Sequence, residues 1–247
     1  MQARRRNKRL GFGKRFYRRM ARPKGLVSFN VAIKETDLWI SAEKELIKEA
    51  RGLVLEARHQ IESYIRSYPA FLTALSPWKK DILAPSVVKE MISASERAKV
   101  GPMAAVAGAI AEYVGRGLLR FSKEVIVENG GDVFVCLNRQ VNVSVFSNSS
   151  YDMGIVIKKD MMPVGICSSS GKIGHSLSFG RSDIVTVVSY SASIADAAAT
   201  FIANRIKQTE DIKAIEDWAS QIDGVIGVLA MINENISLWG DLEFALM

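Results

Sequence analysis

At 247 residues the chain is long enough for one large α/β domain whose core needs no disulfide or metal. Its 48% hydrophobic and 24% charged residues exclude a disordered, collagen-like or disulfide-scaffold protein. The net charge of +7 is unevenly held: residues 1–34 carry 12 of the 33 Lys and Arg and no acid, leaving 21 basic against 26 acidic residues in the remainder.

The basic character therefore belongs to an N-terminal arm, residues 1–24, ahead of a mildly acidic domain, residues 25–247. A solvated tail accounts for Arg4-Arg5-Arg6-Asn7-Lys8-Arg9, with Phe12, Phe16 and Tyr17 free to pack on the body. Phosphate attraction leaves a nucleic-acid arm as an alternative, although nucleic acid is not the expected partner. The arm lacks the apolar run of a signal peptide, and no stretch approaches the roughly 20 apolar residues of a span. These features predict a cytoplasmic protein with no membrane partner. Cys136 and Cys167, in apolar runs, read as buried thiols of a reducing compartment, and no Cys/His spacing suggests zinc.

Val27–Ile33 alternates as a half-buried strand does. Ser41 then offers an N-cap to a helix that presents Leu46, Ala50, Leu53, Val54, Ala57 and Ile61 at helical spacing and stops near Tyr68, ahead of Pro69. Pro85 and Ser86 start another helix, with Val87, Val88, Met91 and Ile92 inward. Gly101-Pro102-Met103 opens a third, reaching Leu119. From Glu124 the period changes to strands: 125–127 and 133–137, then 141–146, Met153–Ile157, 163–167 and Ile184–Ser189. Helices over 193–206 and 212–221 and strands at Val225–Ile232 and 242–246 complete the chain. With no repeat and no long linker, this order predicts a single α+β domain with a mainly antiparallel sheet packed with helices.

Four segments carry chemistry. The helix opening at Gly101 has a face of Ala104, Ala105, Ala107, Gly108 and Ala111, and its N-terminus offers free N–H groups to an anion. Glu128-Asn129-Gly130-Gly131-Asp132 reads equally as a plain hairpin turn or as a turn whose Gly130 and Gly131 let backbone approach a ligand while Asp132 binds a hydroxyl. The stretch from Cys167 to Ser178, with Ser168, Ser169, Ser170, Gly171 and His175, offers many donors and little bulk, which suits phosphate or ribose oxygens. His175 can serve there as acid or base, whereas His59 reads as structural or exposed. Asp196 and Thr200, at i and i+4 of one helix, can share a hard cation such as Mg2+; the alternative is an Asp placed by the helix dipole with Thr incidental.

Residues 100–112, Glu128–Asp132, the loop 168–179 and Ala195-Asp196-Ala197-Ala198-Ala199-Thr200 together resemble the UPF0280 family, from about Leu26 to the C-terminus. That family in turn looks like a short relative of the ApbE family, the FAD:protein FMN transferases, of T-fold-related architecture. The resemblance implies that Asp196 and Thr200 bind Mg2+ against the FAD pyrophosphate. It places Gly130, Gly131, Asp132, Ser169, Ser170 and Gly171 along the flavin nucleotide and His175 beside the reacting phosphate. It also implies transfer of FMN to a Ser or Thr hydroxyl of an acceptor protein. Two departures stand out. Ala107 occupies the place of an ApbE lysine, and Ser176-Leu177-Ser178 follows His175 in place of a His-x-x-Asp/Asn-Pro continuation. They motivate an alternative, an enzyme of small-molecule metabolism that takes another phosphorylated substrate on the same fold. A non-catalytic assembly or nucleic-acid-binding protein working through the basic arm is a third reading, and a homo-oligomer is compatible with all three.

Overall fold

The computed structural model describes residues 23–145, 153–171 and 180–246. It opens on an antiparallel hairpin, β1 (Val27–Ile33) and β2 (Thr36–Ala42), paired from Val27 with Ala42 to Ile33 with Thr36. Strand β2 corrects the reading of Ser41 as a helix cap: Ser41 is a buried strand residue whose hydroxyl meets that of Ser28 at 2.8 Å. The turn that makes the hairpin is Lys34-Glu35, with Lys34 at φ 52° and no Gly or Asn to announce it.

Helix α1 (Ile47–Ser67) then starts without a side-chain cap and ends just ahead of Pro69, as expected. Helix α2 (Ser86–Ala98) buries Val87, Val88, Met91 and Ile92. The third helix begins as a 3-10 turn, Pro102–Ala105, and continues as α3 (Val106–Leu118). Strands β3 (Val125–Asn129), β4 (Asp132–Cys136), β5 (Val141–Val145), β6 (Met153–Ile157), β7 (Val164–Ser169) and β8 (Ile184–Ser189) follow. Helix α4 (Ala192–Arg205) comes next. The helix expected over 212–221 is a 3-10 segment, Thr209–Ala214, followed by the short α5 (Ile215–Ala219). The chain ends on β9 (Val225–Ile232), β10 (Asn235–Gly240) and β11 (Glu243–Leu246). Strand β10 was not anticipated. It returns through Asn233 and Glu234, both at positive φ, again without a glycine signal.

Eight strands form one sheet in the order β1-β2-β3-β4-β7-β8-β9-β10, and β11-β6-β5 form a second; every pair is antiparallel. The α+β class with a mainly antiparallel sheet packed with helices is therefore as the sequence order predicts. Alternation along the central strands divides the interior in two. Val125, Val127, Phe134, Cys167, Val185, Val187, Val228 and Ala230 face the helices. Val135, Val164, Ile166, Ile184, Val188, Leu229 and Met231 face the small sheet. Helix α4 is small and apolar nearly all round, so it sits deep between α3 and the sheet with Ala192, Ala195, Ala198, Ala199 and Ile202 at or near zero exposure.

Candidate functional site

The β3–β4 turn passes through Gly130 at φ 71° and Gly131 at φ 115°, both open to glycine and costly for other residues. Turn geometry alone accounts for both glycines. Asp132 opens β4 and shares the helix-facing side with Phe134. The neighbouring strand runs the other way, with Val133 opposite Ile166, so the Gly-Gly turn and the end of β7, with half-buried Ser169, Ser170 and Gly171, lie at the same end of the sheet. The Cys167 thiol on β7 donates to the Ala192 carbonyl at 3.3 Å and, with the Ser168 N–H, lies beside the Asp132 carboxylate and favours its charged form. Asp132 Oδ1 is nevertheless buried with no partner among the described residues. Asn129 ties the turn to α3, its Nδ2 donating to the Ala107 carbonyl at 3.1 Å.

Asp196 comes to the same region from α4. Its Oδ2 accepts the Gly108 N–H at 2.9 Å, and the Ala107 N–H also donates to its carboxylate. These are the second and third residues of α3, so the anion at the start of its α-helical part, past the 3-10 turn, is Asp196 itself. The α4 N-terminus is closed in the same manner. Glu112 of α3 is buried, and its Oε2 accepts Ser191 Oγ and the Ala192 N–H at 2.7 Å each and the Ser193 N–H at 3.4 Å. Its Oε1 holds Arg116 at 2.7 Å. Each helix therefore caps the other with a carboxylate, which satisfies N–H groups that helix starts leave unpaired. Sequence reasoning missed Glu112, although it ends the Ala/Gly segment, because its partners lie some eighty residues away.

The reciprocal caps require the two helices to touch, and Gly108 permits this. A Cβ there would stand 2.1 Å from the Ala192 carbonyl oxygen and 2.9 Å from Asp196 Cβ. Gly108→Ala should cost about 2 kcal/mol by forcing α3 and α4 apart. A drop in the urea midpoint at unchanged m-value checks this, and an unchanged midpoint would show the crossing to be loose.

Burial raises the Asp132 carboxyl to about 7, with repulsion from Glu128 adding to it and the Cys167 thiol and Ser168 N–H opposing it. Burial likewise holds Asp196 well above the usual carboxylate range; the Asp132 charge adds to this, and the Gly108 and Ala107 N–H groups oppose it. The Asp132 charge thus helps to raise Asp196, which is half-buried, and no basic side chain contributes to either shift. Thr200 is half-buried one turn along from Asp196. Among the described residues no three His, Cys, Asp or Glu side chains converge to hold a metal by themselves. His175 and Ser176 to Ser178 lie outside the described residues, as do Phe146 and residues 1–22. His59 is exposed on α1. Cys167 is buried, Cys136 is half-buried, and both are free thiols. A groove of about 680 Å³ on the far side of α3, between Tyr113, Arg116 and Glu90, contains none of the paired aspartates.

This architecture is that of the ApbE proteins. The flavin transferase ApbE of Vibrio cholerae aligns with a TM-score of 0.57 over 87% of this chain and 96% of its own, at 13% identity, a likeness of fold. Sequence resemblance reaches further. A family model described as AbpE bacteria matches residues 18–227. A UPF0280 protein of Methanococcus vannielii is 40% identical over 82% of this chain and 85% of its own length, and one of Methanopyrus kandleri is 44% identical over 83% and 84%. The chain belongs to the UPF0280 family, on an ApbE-like fold.

Proposed function

We propose that the protein binds a flavin nucleotide, FAD, together with a divalent cation such as Mg2+ at the sheet end where Asp132 and Asp196 meet. The observation that carries this reading is the carboxylate pair itself: one Asp132 oxygen is buried without a partner, and the Asp132 charge raises Asp196 with no basic side chain to oppose it. Hard oxygen donors with only two carboxylates suit Mg2+, which commonly keeps water and ligand phosphates in its remaining positions. Asp132, Asp196 and the Thr200 hydroxyl would hold the cation, and when bound it would neutralise the pyrophosphate. Gly130 and Gly131 would let backbone approach the ligand, and Ser169, Ser170 and Gly171 would donate to phosphate or ribose oxygens. His175 is the proposed acid or base beside the reacting phosphate.

The fold likeness to flavin transferases extends the proposal to transfer of FMN onto a protein hydroxyl. In that reaction the acceptor oxygen bonds to the FMN phosphorus, the pyrophosphate P–O bond breaks, AMP leaves and the hydroxyl proton passes to a base. Ala107 favours a second reading, a different phosphorylated substrate: its N–H goes to Asp196 and its carbonyl to Asn129, and its methyl group supplies no charge.

Titrating the protein into FAD and following flavin fluorescence, with and without Mg2+, tests the binding. Micromolar affinity is expected with Mg2+, weakened about tenfold or more by Asp132→Asn or Asp196→Ala and little changed by either variant in its absence. No response at high micromolar FAD would overturn the proposal. Binding without release of AMP on incubation with candidate acceptor proteins would leave the nucleotide site and remove the transfer.

A further inference from the structure

The connection between α1 and α2, residues 68–85, carries apolar side chains that the fold leaves in water. Tyr68 is 44% exposed, Leu72 51%, Leu75 69%, Ile82 74% and Leu83 88%. The segment is nonetheless pinned. Phe71 is fully buried and meets Tyr64 and Trp78 edge-on, with ring centroids 5.0 and 5.5 Å apart, and the Tyr68 ring lies 4.7 Å from that of Tyr64. The Tyr64 hydroxyl donates to Asp81 Oδ2 at 2.9 Å and accepts from Trp78 Nε1 at 3.3 Å, while Asp81 Oδ1 accepts the Leu83 N–H at 2.9 Å. Rings and hydrogen bonds gathered about Tyr64 thus fix a shape that holds Ile82 and Leu83 outward. A scattered surface leucine needs no explanation, but several large apolar side chains on one fixed segment do.

Charge selects the occupant. Lys79 and Lys80 are exposed between Trp78 and Ile82, and Arg66 is exposed at the end of α1. The only acid between residues 68 and 85 is Asp81, and both its oxygens are engaged internally. Lysine is depleted at protein–protein contacts. Beside apolar side chains it suits a bilayer surface, where its stem lies along the acyl boundary and its ammonium meets anionic headgroups. The exposed Tyr68 supplies an amphipathic ring of the kind favoured at that depth. We propose that this face docks on an anionic lipid bilayer, with Leu72, Leu75, Ile82 and Leu83 entering the acyl boundary and Lys79 and Lys80 on the phosphates. Such docking requires no membrane span.

Co-sedimentation of the full chain with vesicles of phosphatidylcholine, alone or mixed with phosphatidylglycerol, tests this. The protein should sediment with the mixed vesicles and be released by high salt. Ile82→Ser with Leu83→Ser should lower the partition coefficient about tenfold or more at unchanged thermal unfolding, and Lys79→Glu with Lys80→Glu should do the same. The basic residues ahead of Glu35 are common to all these proteins, so an unchanged partition of the serine variant would assign the binding to them and overturn the proposal. Failure of the wild type to sediment with either vesicle would also overturn it. So would a concentration-dependent dimer that dissociates in the serine variant, which would identify the occupant as a second copy of the chain.

Discussion

Raising the pH from 5 to 8 in the presence of a chelator should destabilise the protein, and adding Mg2+ should reverse most of the loss at the upper end. Asp132 has an ordinary value of 3.8 and is raised to about 7 in the fold, so between those values the folded chain holds a proton that the unfolded chain has lost. Stability from this group is complete below the unfolded value and falls as pH rises towards 7, by about 1.4 kcal/mol per unit. Asp196 is raised in the same direction, mainly by burial and then by the Asp132 charge, so the decline should continue above 7. Most acid-sensitive proteins lean on depressed carboxylates and behave in the opposite sense. Urea midpoints at each pH measure the effect. Asp132→Asn should flatten the profile, raise stability at pH 8 and abolish most of the Mg2+ dependence. A flat wild-type profile would mean that the two carboxylates are solvated, and the cation reading would go with it.

The elements that were legible from sequence are those whose signals are local. Helix α1 declares itself by apolar spacing and by Pro69, and the β3–β4 turn by Asn129-Gly130-Gly131. Strand β2 was missed because its hairpin turns through Lys34-Glu35, with Lys34 at positive φ and no Gly or Asn to signal it, and β10 because Asn233-Glu234 lacks the glycine that usually follows Asn in such turns. The candidate site was legible as a set of residue types and not as an arrangement. Gly130, Asp132, Ser169 and Asp196 could each be singled out from their neighbours in the chain. That Asp132 and Asp196 come within electrostatic reach follows from β4 and α4 packing on the same side of the sheet, which no local pattern records. The helix N-terminus offers the clearest lesson. At the start of α3 the Gly108 N–H is taken by Asp196 from 88 residues away, a partner that no local pattern announces.

Loss of the Glu112 side chain should cost the fold heavily. Its carboxylate gathers Ser191 Oγ, the Ala192 and Ser193 N–H groups and the Arg116 guanidinium in a buried position. Glu112→Ala would leave Ser191, whose hydroxyl accepts the Ile194 N–H, as the side-chain cap of α4, deprive the Ala192 and Ser193 N–H groups of their acceptor and free Arg116. Each buried hydrogen bond to a charge is worth about 1.5–3 kcal/mol, so a loss of about 4 kcal/mol is expected. Glu112→Gln, which keeps the shape and one acceptor oxygen, should lose roughly half as much. Asp196 lies one turn inside α4, so a displaced helix start would also loosen its hold on Gly108, and the two caps should fail together. In a double-mutant cycle Glu112→Ala and Asp196→Ala should therefore cost less combined than the sum of the single losses, with a coupling of about 1 kcal/mol or more. Equilibrium urea unfolding of the four proteins measures it. Strict additivity would mean that the caps are independent and that α4 holds the nucleotide-site aspartate without help from α3.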